Sequence, residues 1–157
     1  VYKRQTYFPL GNKFVLGVRG KAVVSSKGLL SNYTSTLIQA PAFTPTPHSK
    51  TIFNPAFRST QYLAAGVIPI WKIMNNLQFR NEFYVFAPFR QIYEGENMVP
   101  YYGKAFTKYH FMGESSLVLD LSFASISLYA NYYDYPARNW NFGINIGLLV
   151  FSPKFLE

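Results

Sequence analysis

Cysteine is absent from the 157 residues, so neither a disulfide framework nor a thiolate metal site is open to this chain. Charge is scarce as well, at 14% of residues, and most of it is of one sign: 15 Lys and Arg against 7 Asp and Glu, a formal net charge of +8. No apolar run approaches the roughly 18 residues that a membrane-spanning helix needs. No segment carries a 3.6-residue apolar period, so no helix is expected. A phosphate-binding glycine loop and a metal-spaced histidine cluster are both missing. Gly113-Glu114-Ser115-Ser116-Leu117 is only superficially like a Gly-x-Ser-x-Gly nucleophile turn. What the chain does have is aromatic side chains, 19% of residues with 13 Tyr and 15 Phe, which excludes an intrinsically disordered polymer. Its mean hydropathy is nonetheless near zero. Strict alternation of apolar and polar residues in a membrane β-barrel produces that combination, because averaging hides the lipid-facing set.

The alternation is visible along the chain. From Lys13 to Ser26 one set of positions reads Phe14, Leu16, Val18, Gly20, Ala22 and Val24, while the other holds Lys13, Arg19 and Lys21. From Leu77 the apolar set is Leu77, Phe79, Phe83 and Val85, broken in phase by Asn81, against Gln78, Arg80, Glu82 and Tyr84. A strand over about 105–123 sets Phe111, Leu117 and Leu119 opposite His110, Glu114 and Ser116. Ile126, Leu128, Ala130 and Tyr132 alternate with Ser127, Tyr129, Asn131 and Tyr133. The cleanest strand is the last, Trp140 to Val150. Two further strands are read at Tyr2–Phe8 and at about Gln61–Ile73, where Pro69 requires an edge, a bulge or a strand end. The Lys13–Ser26 alternation has a length near the ~9–11 residues with which a tilted strand crosses a bilayer.

Connections alternate between tight and long. Pro9-Leu10-Gly11-Asn12, Met74-Asn75-Asn76 and the stretch around Phe123-Ala124-Ser125 are tight; 27–60, 90–104 and 134–139 are long. Short periplasmic turns and longer external loops are the organisation of an outer-membrane barrel. The expected fold is therefore all-β, an antiparallel transmembrane barrel. About seven strands are counted, whereas bacterial single-chain barrels use even numbers. If the last strand runs inward to the periplasm, so does Tyr2–Phe8, and at least one strand is expected upstream. Opening on Val1, the chain reads as a mature segment or fragment, with 1–157 as the C-terminal part of a barrel domain.

Candidate chemistry is thin. His48 sits in a Pro-rich loop and His110 at the outer part of a strand, both read as solvated or lumen residues. Glu114 and Asp120 share a face but lie roughly 20 Å apart along a strand, too far to act as a carboxylate pair. The basic residues are dispersed between strand faces and loops, which argues against a nucleic-acid footprint. The stretch 27–60 is the informative feature, because over thirty residues without regular structure is usually functional.

Within it, Phe57-Arg58-x-x-x-Tyr62 followed by five strands resembles the inward-folded loop of the BamA-like surface-antigen superfamily, although residue 59 is Ser where Gly is usual. Ala64-Ala65-Gly66, Arg80-x-Glu82-x-Tyr84-x-Phe86-x-Pro88, Asn131-Tyr132-Tyr133-Asp134, Phe142-Gly143, and Phe151 through Phe155-Leu156-Glu157 are most similar to the C-terminal barrel of patatin-like phospholipases of the Bacteroidetes type. The resemblance implies a sixteen-stranded barrel, of which this chain is about the last seven strands. It implies that Arg58 enters the lumen and pairs with an acidic residue on the second strand after the loop, here Glu82, which the alternation also places on the polar face. It further implies an upstream domain with a Ser–Asp dyad that hydrolyses lipid esters, so this segment is expected to hold no catalytic, cofactor or metal residue. The expected location is the bacterial outer membrane. Expected partners are its lipid and lipopolysaccharide, the missing strands or domain of the same polypeptide, and a second copy or membrane complex. Two rivals stay open: an insertase, translocase or channel subunit of the same superfamily, and a soluble or eight-stranded barrel that holds an apolar ligand inside.

Overall fold

The structure, a computed structural model, is described for residues 1–134 and 139–148. It is all-β apart from one seven-residue helix and three single-turn 3-10 segments. The strands are β1 (Tyr2–Pro9), β2 (Phe14–Val24), β3 (Gln61–Lys72), β4 (Leu77–Pro88), β5 (Arg90–Glu94), β6 (Pro100–Ala105), β7 (His110–Asp120), β8 (Ala124–Tyr133) and β9 (Asn139–Leu148). Seven form one antiparallel sheet in the order β1-β2-β3-β4-β7-β8-β9, and β5 pairs only with β6. These seven are the strands read from the alternation. Leu149, Val150 and the Phe151–Glu157 motif lie outside the described residues. β1 and β9 end the sheet and are not paired with one another among the described residues.

Register converts the alternation into two faces, since partners across an antiparallel ladder share a side. One row runs Phe83, Gly113, Tyr132, Trp140, and another Phe79, Leu117, Leu128, Ile144. These rows belong to the exposed face, where Leu63, Val67 and Trp71 of β3 join them and Phe142 is 76% exposed. The opposite face carries Tyr62, Ala64, Ile68, Tyr84, Phe86, Met112 and Tyr133, all buried. The inner face also has a steric device. Gly66 lies opposite Tyr84 and Gly143 opposite Tyr129. Each tyrosine side chain lies over its glycine, so that a Cβ on Gly66 would collide with the Tyr84 ring at Cδ1.

Three expectations require correction. Pro69 is at neither an edge nor a bulge: β3 is central, Pro69 faces Leu16 of β2, and toward β4 the ladder lapses at 68–69 with its register kept on both sides. The missing proline N–H costs local pairing without shifting the strand. The 27–60 stretch is not wholly irregular, because Tyr33–Gln39 form a helix, α1, capped by Asn32, whose side chain accepts from the Ser35 N–H. The 90–104 connection is the β5–β6 hairpin, and β7 accordingly starts at His110, later than the 105 expected. Helix and hairpin close on each other through Leu37, Ala40 and Ile92, a small second core at the end from which the long connections emerge.

Candidate functional site: a loop docked on the inner face

The inner face is covered by residues 41–58 of the long loop. Phe43 inserts among Tyr62, Tyr84 and Phe86, with ring centroids 5.7–6.1 Å away. Phe57 meets Phe86, His110 and Tyr133 at 5.6–6.0 Å. Aromatic contacts of this geometry add to the area they bury. The loop is pinned locally by a bridge between Ala42 and Arg58 and by the Phe43 N–H donating to the Phe57 carbonyl at 2.9 Å.

Cations hold its backbone. Arg19 donates to the Pro45 carbonyl at 3.1 Å, Lys21 to the Ala42 carbonyl at 3.4 Å, and the Tyr62 hydroxyl to Ala42 at 3.1 Å. Part of the chain's basic excess therefore serves carbonyl oxygens that would otherwise be buried unpaired. Hydroxyls do the rest: Ser49 donates to the Thr46 carbonyl at 2.7 Å, and the fully buried Ser59 to the Gln61 and Arg90 carbonyls. His48 Nδ1 lies 3.1 Å from the Tyr133 hydroxyl, with its ring against Tyr129. Burial lowers the His48 imidazole below its ordinary value.

The motif residues are placed as follows. Phe57 and Tyr62 are in the aromatic core, on either side of Phe86. Arg58 and Glu82 do not pair. The Arg58 guanidinium donates to the carbonyls of Leu37, Ile38 and Ala40 at 3.0–3.5 Å and stacks over Phe53 at 4.4 Å. It thus closes the C-terminal end of α1, where a helix leaves carbonyls without partners. Glu82 is taken by Arg80, two residues earlier on the same strand face, with Nε 2.7 Å from Oε1, and by the hydroxyl of Tyr84. An i, i+2 pair was within reach of the alternation, which put Arg80, Glu82 and Tyr84 together.

The partner of Glu114 is a second carboxylate, on the neighbouring strand and not Asp120 on its own. Glu114 faces Glu82 across β4–β7 and Asn131 faces Glu114 across β7–β8, all three buried. Thr46 of the loop flanks Glu114. Asn131 flanks it from the other side, and one Glu114 oxygen has no protein hydrogen-bond partner. Among the described residues no three His, Cys, Asp or Glu gather closely enough to hold a metal ion. His110 is buried against Phe57 and Phe86, with Nε2 3.3 Å from Gln91 of the hairpin.

No family model, curated protein or solved structure matches the chain. What the geometry offers is a sheet wall with an apolar outer face and a loop bolted to its inner face.

Proposed function

We propose that this chain is part of the wall of a bacterial outer-membrane β-barrel, about the last seven of sixteen strands. In this reading it is the anchor or translocation segment of a patatin-like lipid acyl hydrolase and carries no catalytic residue of its own. The observation that carries the membrane part is the outer face: Leu63, Val67, Trp71, Phe83, Phe111, Phe142 and Ile144 stand exposed on adjacent strands. Exposed apolar patches on soluble monomers rarely exceed a few hundred Å². A face of this kind on a continuous sheet suits hydrocarbon, with Trp71 and Trp140 near opposite ends of the strands as interfacial anchors. Further strands then satisfy the free edges of β1 and β9, since unpaired backbone is not tolerated in lipid. The hydrolase part rests on the resemblance of the Phe57–Tyr62 and Arg80–Pro88 segments.

The docked loop fills the inner face instead of leaving it lined with water-facing charge, which favours an anchor over an open channel. A translocase or insertase with no enzyme attached is the second reading. The test is the intact mass of the natural polypeptide extracted from outer membranes in detergent, with peptide mapping. A mass several times 18.0 kDa with a Gly-x-Ser-x-Gly peptide upstream supports the anchored hydrolase. An extension without that peptide leaves the translocase. An 18.0 kDa product soluble without detergent ends the membrane reading.

A further inference from the structure

Beside the small core of Leu37, Ala40 and Ile92 lies a cavity of about 160 Å³, built where the start of α1, the docked loop at 55–56, strand β5 and the start of β7 converge. Pro55, Ala56 and Ile92 give it an apolar lining, and Tyr33 and Tyr93 add aromatic side chains. Its polar lining is of one kind. No Asp or Glu lines it among the described residues. Lys108 does, with its ammonium in electrostatic reach of the His110 ring. Asp134 faces His110 from the other ring nitrogen, Nδ1, at 3.8 Å and is not part of the lining. Gln91 also lines the cavity and is only 8% exposed. Its Oε1 is engaged by His110 Nε2 at 3.3 Å, whereas its two amide N–H bonds donate to no protein group among the described residues. A buried donor left without an acceptor is costly.

Donor chemistry identifies the complement. An amide N–H and an ammonium with no carboxylate between them call for a group that only accepts and carries negative charge. Water fills the apolar half poorly, because a water there finds no polar partners. Phosphate would bring three charged oxygens to a single ammonium and nothing to the apolar half. A carboxylate has two oxygens for the two donors, and its organic body suits the rest of the lining. Size agrees: water takes about 30 Å³, so the cavity has room for a small ring or a short chain.

We propose that this cavity binds a small organic carboxylate, one oxygen accepting from the Gln91 amide and the other from the Lys108 ammonium, with the apolar body against Pro55, Ala56 and Ile92. The inference needs neither the membrane reading nor the hydrolase reading, because the cavity belongs to the helix–hairpin end of the sheet and not to its outer face.

Fluorine NMR of para-fluorobenzoate, titrated with the full-length polypeptide in whichever medium keeps it monodisperse and corrected for a protein-free blank, tests the site. Saturable line broadening near one ligand per protein is expected. Para-fluorobenzamide, of the same shape without the charge, should bind at least about tenfold more weakly, the scale of one hydrogen bond to a charged group. Gln91→Leu and Lys108→Met should each raise the midpoint about tenfold. Lys27→Met removes the same charge outside the lining and should leave it unchanged. Gln91 is buried and also meets His110, so where Gln91→Leu does not fold, the exposed Lys108 decides alone. Equal binding of the benzamide overturns the proposal, as does a midpoint that Lys108→Met leaves in place or that Lys27→Met shifts as far. Displacement of the benzoate by an equal concentration of inorganic phosphate assigns the donors to a mineral anion and overturns it too. Absence of saturable broadening at millimolar ligand refutes the site outright.

Discussion

At the residue scale the loop is held by groups whose partners are backbone carbonyls. Arg58 is the clearest case, and its pairing separates two accounts of the Phe-Arg-x-x-x-Tyr segment. A double-mutant cycle on Arg58→Ala and Glu82→Gln should show coupling near zero. The cycle on Arg80→Ala and Glu82→Gln should show about 0.5–3 kcal/mol, the range for residues in one salt-bridge network. Arg58→Lys should loosen the end of α1, because an ammonium can reach the carbonyls but cannot lie flat over Phe53 as the planar guanidinium does. The resemblance singled out Arg58, but its partners were not legible, because backbone carbonyls have no residue-type signature. Glycine gives a sharper test. Gly66→Ala drives a methyl into the Tyr84 ring and the Phe83 carbonyl and should cost about 1–3 kcal/mol by overpacking. Gly20→Ala, with nothing within 4 Å of the new Cβ, should be neutral or mildly stabilising in the same unfolding assay.

His48 adds a pH dependence to loop docking. Its imidazole is held below the ordinary value by burial, so the docked loop favours the neutral ring. The undocked chain then binds more protons just below about pH 6.5, the unperturbed histidine value. The His48 contribution is present above that pH and is lost as pH falls through the lowered value. Limited proteolysis within residues 41–58 should accelerate on acidification across this window, and His48→Gln should flatten that histidine step.

At the scale of elements, the seven sheet strands were legible because a two-residue period is a local signal that a half-buried strand must carry. The β5–β6 hairpin was hidden for the opposite reason. Its turn passes through Gly95 to Val99 with Asn97 and Met98 at positive φ, and it lacks the Asn-Gly or Asp-Gly signature of a two-residue turn. Helix α1 is too short to display a period, and it exists because Asn32 caps its start, Arg58 closes its end and Leu37 packs against Ile92. Truncating that contact should act locally. Ile92→Ala is expected to cost about 2–5 kcal/mol of docking between helix and hairpin. Hydrogen exchange should quicken at 33–39 and 90–105 while β2, β3 and β4 keep their protection.

At the scale of the molecule, one sheet presents two chemistries. Its inner face is aromatic, threaded with Arg80, Glu82, Glu114 and Asn131, and covered by a loop; its outer face is apolar and exposed. The alternation made the two faces legible, but not which residues the loop would cover, because Phe43 and Phe57 sit in irregular chain where burial leaves no period. Membrane insertion of the outer face is the central claim. These 157 residues have no cysteine, so, with any upstream cysteines replaced by serine, single cysteines can be placed at each position from Phe142 to Gly147 of β9 in the full-length protein in bilayers and spin-labelled. The account predicts high collision with oxygen and low collision with a water-soluble nickel complex at 142, 144 and 146, and a weaker oxygen contrast at 143, 145 and 147. High nickel accessibility at 142, 144 and 146 would place that face in water and contradict the account.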